Sequence, residues 1–403
     1  MVRFAHISDC HLGAWRQPEL QELSVKAFSQ AIDLCIKEKV EFVLITGDLL
    51  DNAMPSIEVL KDAAAKLSEL KESNIDCYII PGSHDFSVSG KTFLDVFEKA
   101  SLFTNIAKHE ETEDEVKLEI FEKNNLVLAG IGGKKAGLER NLLSKIKKTD
   151  IKNKNALKIL ALHTTLSEAK PKGMDFVDST DSASLPDGFD YYALGHLHMY
   201  FNKKIGNKIL VYPGPLFPAS FSEFEELKNG SFCMVEWDEK EKKVTVNKID
   251  ILPKEVNTIT IDANNKNPEQ ITQEAIEKIS EINKKIITLR IEGMLSRGKT
   301  ADIDFNKINE SVVKNENILL KNTSSLTSPE FKVEIESKGK DVNEIEKEII
   351  KEHEKSKENK EYGSFFDKIE QLLHTLDIEK QEGETNTTFE KRIIDETNKI
   401  FGL

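Results

Sequence analysis

Five short apolar runs recur through the first 200 residues, at positions 2–7, 42–45, 78–80, 157–162 and 191–194, and each gives way to residues rich in Gly, Asp, His or Pro. Runs of this length, bounded by turn residues, read as buried strands. Between them the periodicity is helical. Residues 20–37 place Leu20, Leu23, Ala27, Ile32 and Cys35 on one side. Residues 56–70 do the same with Val59, Leu60, Ala63, Ala64, Leu67 and Leu70, behind Ser56 as N-cap, and residues 91–100 predict a third helix. Further strands are expected at 126–129, 209–212, 232–235 and 244–249. Strands alternating with helices predict an α/β domain over residues 1–252, layered, with two mixed sheets face to face.

Near residue 253 the pattern changes. Residues 256–261 alternate as a strand, 268–282 read as a helix, 286–291 as a strand and 303–313 as a helix. Together they predict a small α+β domain over 253–322, which contains no histidine. Polar residues then mark a linker over 323–340, with Thr327-Ser328-Pro329 in it. Residues 341–403 predict charge-dense helices. Residues 343–355 carry a thin stripe of Ile345, Ile349 and Ile350. Residues 364–376 carry Phe365, Phe366, Ile369, Leu372, Leu373 and Leu376, and residues 388–403 carry Phe389, Ile393, Ile394, Ile400 and Phe401. Helices this short need a packing partner, either their own domain or a groove on another protein.

Composition narrows the setting. The 39% hydrophobic content suffices for a core. No apolar stretch approaches the ~18 residues of a membrane span, and no signal-type segment precedes the first strand, so a cytoplasmic protein without membrane contact is expected. The four cysteines form no C-x-x-C pair and are expected to be reduced. Cys10, between Asp9 and His11, is expected to point away from both and to be a buried thiol. Net charge is −14; residues 1–250 carry 32 basic and 39 acidic side chains and residues 251–403 carry 24 and 31, so each part is −7. That argues against non-specific nucleic-acid binding by the whole surface, and leaves open a local basic groove or contact through cations.

Chemistry enters at the ends of the predicted strands. Five of nine histidines fall into one ordered series with aspartates: Asp9-Cys10-His11, Gly47-Asp48, Gly82-Ser83-His84-Asp85, His163 and Gly195-His196-Leu197-His198. In an open α/β sheet, ligands bind outside the carboxyl ends of the strands. Five segments then carry imidazoles and carboxylates to one edge, more than one metal needs. Asp9-x-His11 and His196-x-His198 each put two side chains on one face. A carboxylate can bridge two divalent cations, and imidazole suits Zn, Mn or Fe. Two such ions ~3.5–4 Å apart clamp the attacking and leaving oxygens of a phosphate ester. The assignment puts Asp9, His11 and His198 on one ion, Asp48 between the two, and His163 and His196 with Ser83 on the other. His84, with Asp85 beside it to hold its ring, is the expected general acid. His6, His109, His353 and His374 read as core or surface residues.

This ordered series resembles the calcineurin-like metallophosphoesterases. The wider spelling, His6-Ile-Ser-Asp9-Cys-His11-Leu-Gly13, Thr46-Gly47-Asp48-Leu49, Tyr191-Tyr-Ala-Leu-Gly195-His196-Leu-His198 and Tyr212-Pro-Gly214, is similar to the SbcD-type DNA repair nucleases, including the archaeal meiotic-recombination (Mre-type) nuclease. The resemblance implies a four-layer α/β/β/α sandwich with a small α+β cap domain and a C-terminal helical tail. It implies a Mn²⁺-dependent nuclease in double-strand-break repair, a single-strand endonuclease with 3′–5′ exonuclease activity as a further expectation. By the resemblance, Asp9, His11, Asp48, His163, His196 and His198 are metal ligands and His84 is the catalytic acid. It also implies DNA as substrate, a homodimer, and an SMC-like ABC ATPase (SbcC-type) bound by residues 341–403. Three departures stand out. Ser83 replaces an Asn, which predicts a weaker second metal site or one completed by water. Asp51 stands where relatives often carry a His linked to the exonuclease step, which puts that activity in question. Pro215-Leu-Phe-Pro218 replaces a Ser-x-Glu-Arg. The alternative is a phosphodiesterase or phosphatase for a small or non-DNA phosphoester; a third reading is a non-catalytic scaffold.

Overall fold

The strand Val2–Ile7 is buried along both faces, so its sequence shows no clean apolar–polar alternation. Ala5 and Ile7 pack toward the helices Pro18–Lys37 and Ile57–Glu72, while Phe4 packs into a second sheet. That division is repeated along each neighbouring strand and builds the layers. The computed structural model describes residues 1–87, 90–146, 155–170, 178–329, 363–376, 378 and 386–401.

The first sheet has six strands in the order Lys243–Ile251, Gly230–Asp238, Val2–Ile7, Phe42–Thr46, Asp76–Ile80 and Thr104–Asn105. Val2–Ile7 pairs parallel with Phe42–Thr46 and antiparallel with Gly230–Asp238. The second sheet also has six, in the order Tyr200–Ile205, Lys208–Pro213, Tyr191–Gly195, Leu157–His163, Leu126–Ile131 and Phe121–Lys123, with a parallel centre and antiparallel edges. Phe4, Phe42, Leu44 and Tyr78 of one sheet meet Ile159, Tyr191 and Val211 of the other in a core between them. The two long helices cover the outer face of the first sheet through Ala27, Phe28, Ala31, Ala63 and Leu67. The outer face of the second sheet is covered more thinly, by the short helix Glu139–Leu143 and by loops carrying Leu166, Leu185 and Phe189. The fold is thus the expected α/β/β/α sandwich, with irregular structure forming much of its fourth layer among the described residues.

The chain divides into two compact units. One comprises Met1–Thr260, Glu274–Arg290 and Asn306–Asn322; the other comprises Ile261–Gln273, Ile291–Phe305 and Thr323–Leu403. The α+β elements predicted after residue 253 are present as strands Val256–Asp262 and Ile286–Met294 and helices Pro268–Ser280 and Phe305–Lys314, and the structure adds a strand that was not predicted, Ile318–Asn322. The stretch read as a linker opens with a short strand, Leu326–Thr327, parallel to Gly293 and Met294. In the second unit the helices Gly363–Leu376 and Asn386–Phe401 lie together, with Lys368 Nζ 5.6 Å from the Phe401 ring. The helix predicted at 343–355, with His353, lies outside the described residues. Among the described residues no helix is long and apolar enough to cross a membrane, and all four cysteines are free and buried, Cys10 among them.

One buried histidine ties the two sheets together. His6 Nε2 lies 2.9 Å from Thr46 Oγ1, and His6 Nδ1 lies 2.9 Å from the Tyr191 hydroxyl of the other sheet. The Thr46 hydroxyl donates to Leu194 O at 3.2 Å, which leaves it to accept from His6 Nε2–H and leaves Nδ1 to accept from Tyr191. Burial drives the His6 pKa down to about 3, so the ring is neutral. Substitution His6→Ala is expected to cost roughly 2–4 kcal/mol in urea unfolding at neutral pH, because two buried hydroxyls lose a partner. A neutral buried imidazole stabilises the fold above the unfolded pKa of about 6.5, and that contribution is lost as pH falls toward about 3. The wild type should therefore lose more stability across that window than the variant; equal slopes would mean the ring is charged in the fold.

Candidate metal centre

Parallel neighbours end at the same level, so their following loops share one edge. Val2–Ile7, Phe42–Thr46 and Asp76–Ile80 in one sheet, with Leu157–His163 and Tyr191–Gly195 in the other, all deliver predicted site residues there. The first two loops are zipped by backbone bonds. Asp9 N–H donates to Gly47 O (3.1 Å), His11 N–H to Asp48 O (2.9 Å), Leu12 N–H to Leu49 O (3.0 Å) and Asp51 N–H to Leu12 O (3.1 Å). Within this zip Asp9, His11 and Asp48 hold φ of 50°, 44° and 50°, and across the site His196 holds 97°. Side-chain-bearing residues rarely adopt these values, and such strain concentrates at functional sites. Gly47 (φ 95°) and Gly82 make room for two candidate ligands: a Cβ on the first would strike the His163 ring, and on the second the Asp48 carboxylate.

Three groups of candidate ligand atoms result, each within 4.8 Å of one another: Asp9, His11 and His198; Asp48, His163 and His196; and His11, Asp48 and His84. Asp9, His11, Asp48 and His163 are buried, whereas His196 and His84 lie exposed at the rim. The carboxylates also bind the loops to each other. His196 N–H donates to Asp9 Oδ1 at 3.1 Å, and His84 N–H donates to Asp48 Oδ1 at 2.8 Å.

Hydrogen bonding fixes which imidazole nitrogens face inward. His11 Nδ1 lies 3.2 Å from Asp51 Oδ1, His198 Nδ1 3.0 Å from Glu223 Oε1 and His163 Nδ1 2.9 Å from Thr46 O. Each acceptor requires N–H at Nδ1, so each Nε2 presents a lone pair in the neutral ring. His11 Nε2 and His198 Nε2 then oppose each other at 3.1 Å. His163 Nε2 is buried 3.1 Å from Asp48 Oδ2, but at an angle that makes no hydrogen bond, and so has no hydrogen-bond partner. Lone pairs converging on carboxylates, with a buried nitrogen left over, suit divalent cations. Without them, protons take the place. Burial opposes a charged His163, but Asp48 beside it prevails and lifts its pKa to about 10; His198 rises to about 9 against burial through Glu223 and Asp9. Asp48 is held well below the carboxylate range by His163 and His11, burial notwithstanding.

One expected role changes. Asp85 does not hold the His84 ring. Adjacent residues in the turn diverge, and the fully buried Asp85 accepts instead from Leu50 N–H (2.9 Å) and Gly82 N–H (2.8 Å), fastening two loops beneath the site. Burial, then Asp48, raises its pKa to about 7. The His84 ring donates from Nδ1 to the Asp51 backbone carbonyl at 2.7 Å, which leaves Nε2 as the nitrogen able to exchange a proton with a substrate. Ser83 is half-buried in the same turn. Asp51 as a partner of His11, and Glu223 as a partner of His198, were not anticipated. Glu223 had a signal: Ser220-Phe-Ser-Glu223 spells a capping box, and its carboxylate accepts from Ala219 N–H while Ser220 Oγ accepts from Glu223 N–H.

Cations entering this site must displace the protons on His163 and His198. Mn²⁺ uptake is therefore expected to release protons, and its affinity to rise with pH between about 6 and 9. Calorimetry in buffers of different ionisation enthalpy measures both; a buffer-independent enthalpy with pH-independent affinity would contradict it.

The calcineurin-like phosphoesterase family model matches residues 2–200. The chain is 30% identical over 305 residues to the DNA double-strand break repair protein Mre11 of Saccharolobus solfataricus, covering 73% of this chain and 76% of that one. It is 26% identical over 362 residues to the protein of the same name from Sulfolobus acidocaldarius, covering 87% and 90%. Among solved structures, a dimetal phosphatase from Danio rerio aligns with a TM-score of 0.39 at 10% identity, over 62% of this chain and 98% of that one. The chain belongs to the calcineurin-like phosphoesterases, on their Mre11 branch, and is a metal-dependent phosphodiester hydrolase.

Proposed function

We propose that this chain is a two-metal, Mn²⁺-dependent DNA nuclease that cuts single-stranded DNA at ends and hairpins during double-strand-break repair, in the cytoplasm, as a homodimer working with an SMC-like ABC ATPase. The observation that carries the reading is the convergence of two three-residue ligand groups with an exposed His84 at their rim, on a chain whose relatives are named double-strand break repair proteins. Asp9, His11 and His198 would hold one ion and His163 and His196 the other, with Asp48 between them and the Ser83 hydroxyl offering a weak oxygen. Two bound cations would supply charge neutralisation on the phosphate and a water acidic enough to deprotonate near neutral pH. The remaining work falls to the chain itself. His84, oriented by the Asp51 carbonyl, donates a proton from Nε2 to the leaving oxygen, a contribution of ~10²–10⁴ in rate. Asp51 in place of an imidazole makes endonuclease cleavage the expected activity and exonuclease cleavage the weaker one. Residues 253–322 act as the cap over the substrate.

The ATPase contact is assigned to residues 341–403. In the described part of that region, Leu373, Leu376 and Ile394 stay 43%, 58% and 57% exposed after the two helices have packed together. An apolar face left open on short amphipathic helices fits helix-in-groove docking.

Two experiments test this. With Mn²⁺, labelled single-stranded and hairpin DNA should be cleaved, and His84→Ala should lower kcat ~10²–10⁴-fold with Mn²⁺ affinity retained. Cleavage of a small aryl phosphodiester alone would favour the small-substrate alternative; cleavage of neither substrate, with His84→Ala no different, would favour a scaffold. Deleting residues 341–403 should abolish co-purification of the ATPase and spare DNA cleavage. Retained association would place the contact elsewhere.

A further inference from the structure

We propose that the two cation positions are unequal: the one formed by Asp9, His11 and His198 fills first and more tightly, because Asp51 and Glu223 act behind its two histidines as positioning residues. This rests on the metal reading above and adds what orders the two positions.

The difference lies behind the ligands. His11 and His198 each donate Nδ1–H to a carboxylate, at 3.2 Å to Asp51 and 3.0 Å to Glu223. On the other side His163 donates to a backbone carbonyl, Thr46 O, at 2.9 Å. Both kinds of acceptor fix the tautomer. Only the carboxylate adds a full negative charge, which makes the opposite nitrogen more basic and strengthens its bond to a cation. The companion ligands differ too: His198 is half-buried, whereas His196 is exposed.

Glu223 is held by bonds other than the one to its histidine, and Asp51 is placed by its main chain. Glu223 is fastened by Ala219 N–H at 2.9 Å and Ser220 Oγ–H at 3.1 Å, in the first turn of helix Phe221–Glu226. That helix is anchored by the fully buried Phe224, which packs against Phe217 and Trp15, and the Trp15 indole N–H donates to Pro218 O at 3.0 Å. Asp51 is fixed through its main chain, which donates to Leu12 O at 3.1 Å within the loop zip. The Glu223 carboxylate therefore does not have to be ordered at the moment of binding, so little of its effect is lost to entropy.

Mn²⁺ titration of the full-length chain by calorimetry tests the proposal. The wild type should show two classes of site at least ~10-fold apart. Asp51→Asn and Glu223→Gln, near-isosteric amides, should each weaken the tight class ~10-fold or more and leave the weak class where it was. His163→Ala should remove the weak class alone. Asp51→Glu and Glu223→Asp, which keep the anion, should retain more of the tight class than the amides do, which separates charge from folding defects; unfolding of the metal-free variants provides the fold control. Two equal classes in the wild type, or amide variants that weaken both classes alike, would overturn the proposal. No Mn²⁺ binding by the wild type would overturn the metal reading beneath it, a different result from binding that the variants fail to reorder.

Discussion

The site turns on lone pairs set against each other. His11 Nε2 and His198 Nε2 stand 3.1 Å apart while both rings have committed their other nitrogen to a carboxylate. Nearby, His163 Nε2 is buried against Asp48 without a hydrogen bond. In a pocket where Asp9 is fully buried and Asp48 almost so, a proton or a cation turns these contacts attractive, and an uncharged occupant does not. The raised pKa values of His163 and His198 are the same fact seen from the proton's side. The structure holds its donors in a pattern whose electrostatics close only when positive charge is supplied.

Holding that pattern costs backbone energy. Four of the residues concerned, Asp9, His11, Asp48 and His196, sit at positive φ, and each such residue costs about 1–3 kcal/mol. The compensation is local and mutual. Asp9 and Asp48, themselves strained, accept backbone N–H groups from His196 and His84 on other loops, and Asp85 accepts from two more beneath them. Carboxylates therefore do double duty, as ligand candidates and as the stitches between loops. The sheets below make this tolerable: both faces of each central strand are packed, so strand ends are fixed points from which loops depart.

Much of this was legible because burial and chemistry were written in adjacent residues. An apolar run followed at once by Asp or His marks a strand end that carries a candidate ligand, and Val2–Ile7 before Asp9, or Tyr191–Gly195 before His196, shows both features together. The two long helices were equally plain from their stripes. What escaped lacked one half of that signal. Tyr200–Ile205 is a half-exposed edge strand with three polar residues in its middle, so it carries no apolar run. Asp85 was given a task by sequence adjacency alone, yet neighbours in a tight turn point apart. Asp51 and Glu223 were missed because the partner of a candidate ligand is set by tertiary contact: Glu223 lies 25 residues from His198 and Asp51 lies 40 from His11. The capping box at Ser220 shows that a local rule was present, but that rule predicts a helix start and says nothing of the histidine it would meet.

Asp51 is where the candidate metal site and the candidate acid join. Its carboxylate faces His11, and its backbone carbonyl accepts from His84. The His11 and His84 rings meet edge to face with centroids 4.8 Å apart. A displacement of this one loop would therefore disturb a candidate ligand and the candidate acid at once, whereas a change of the Asp51 side chain alone leaves the carbonyl in place. An imidazole at this position would not provide the anionic acceptor that fixes His11 as an Nδ1–H tautomer. An aspartate at this position therefore sets the tautomer of a candidate ligand, and its effect falls on how the His11 ring presents Nε2 to the site.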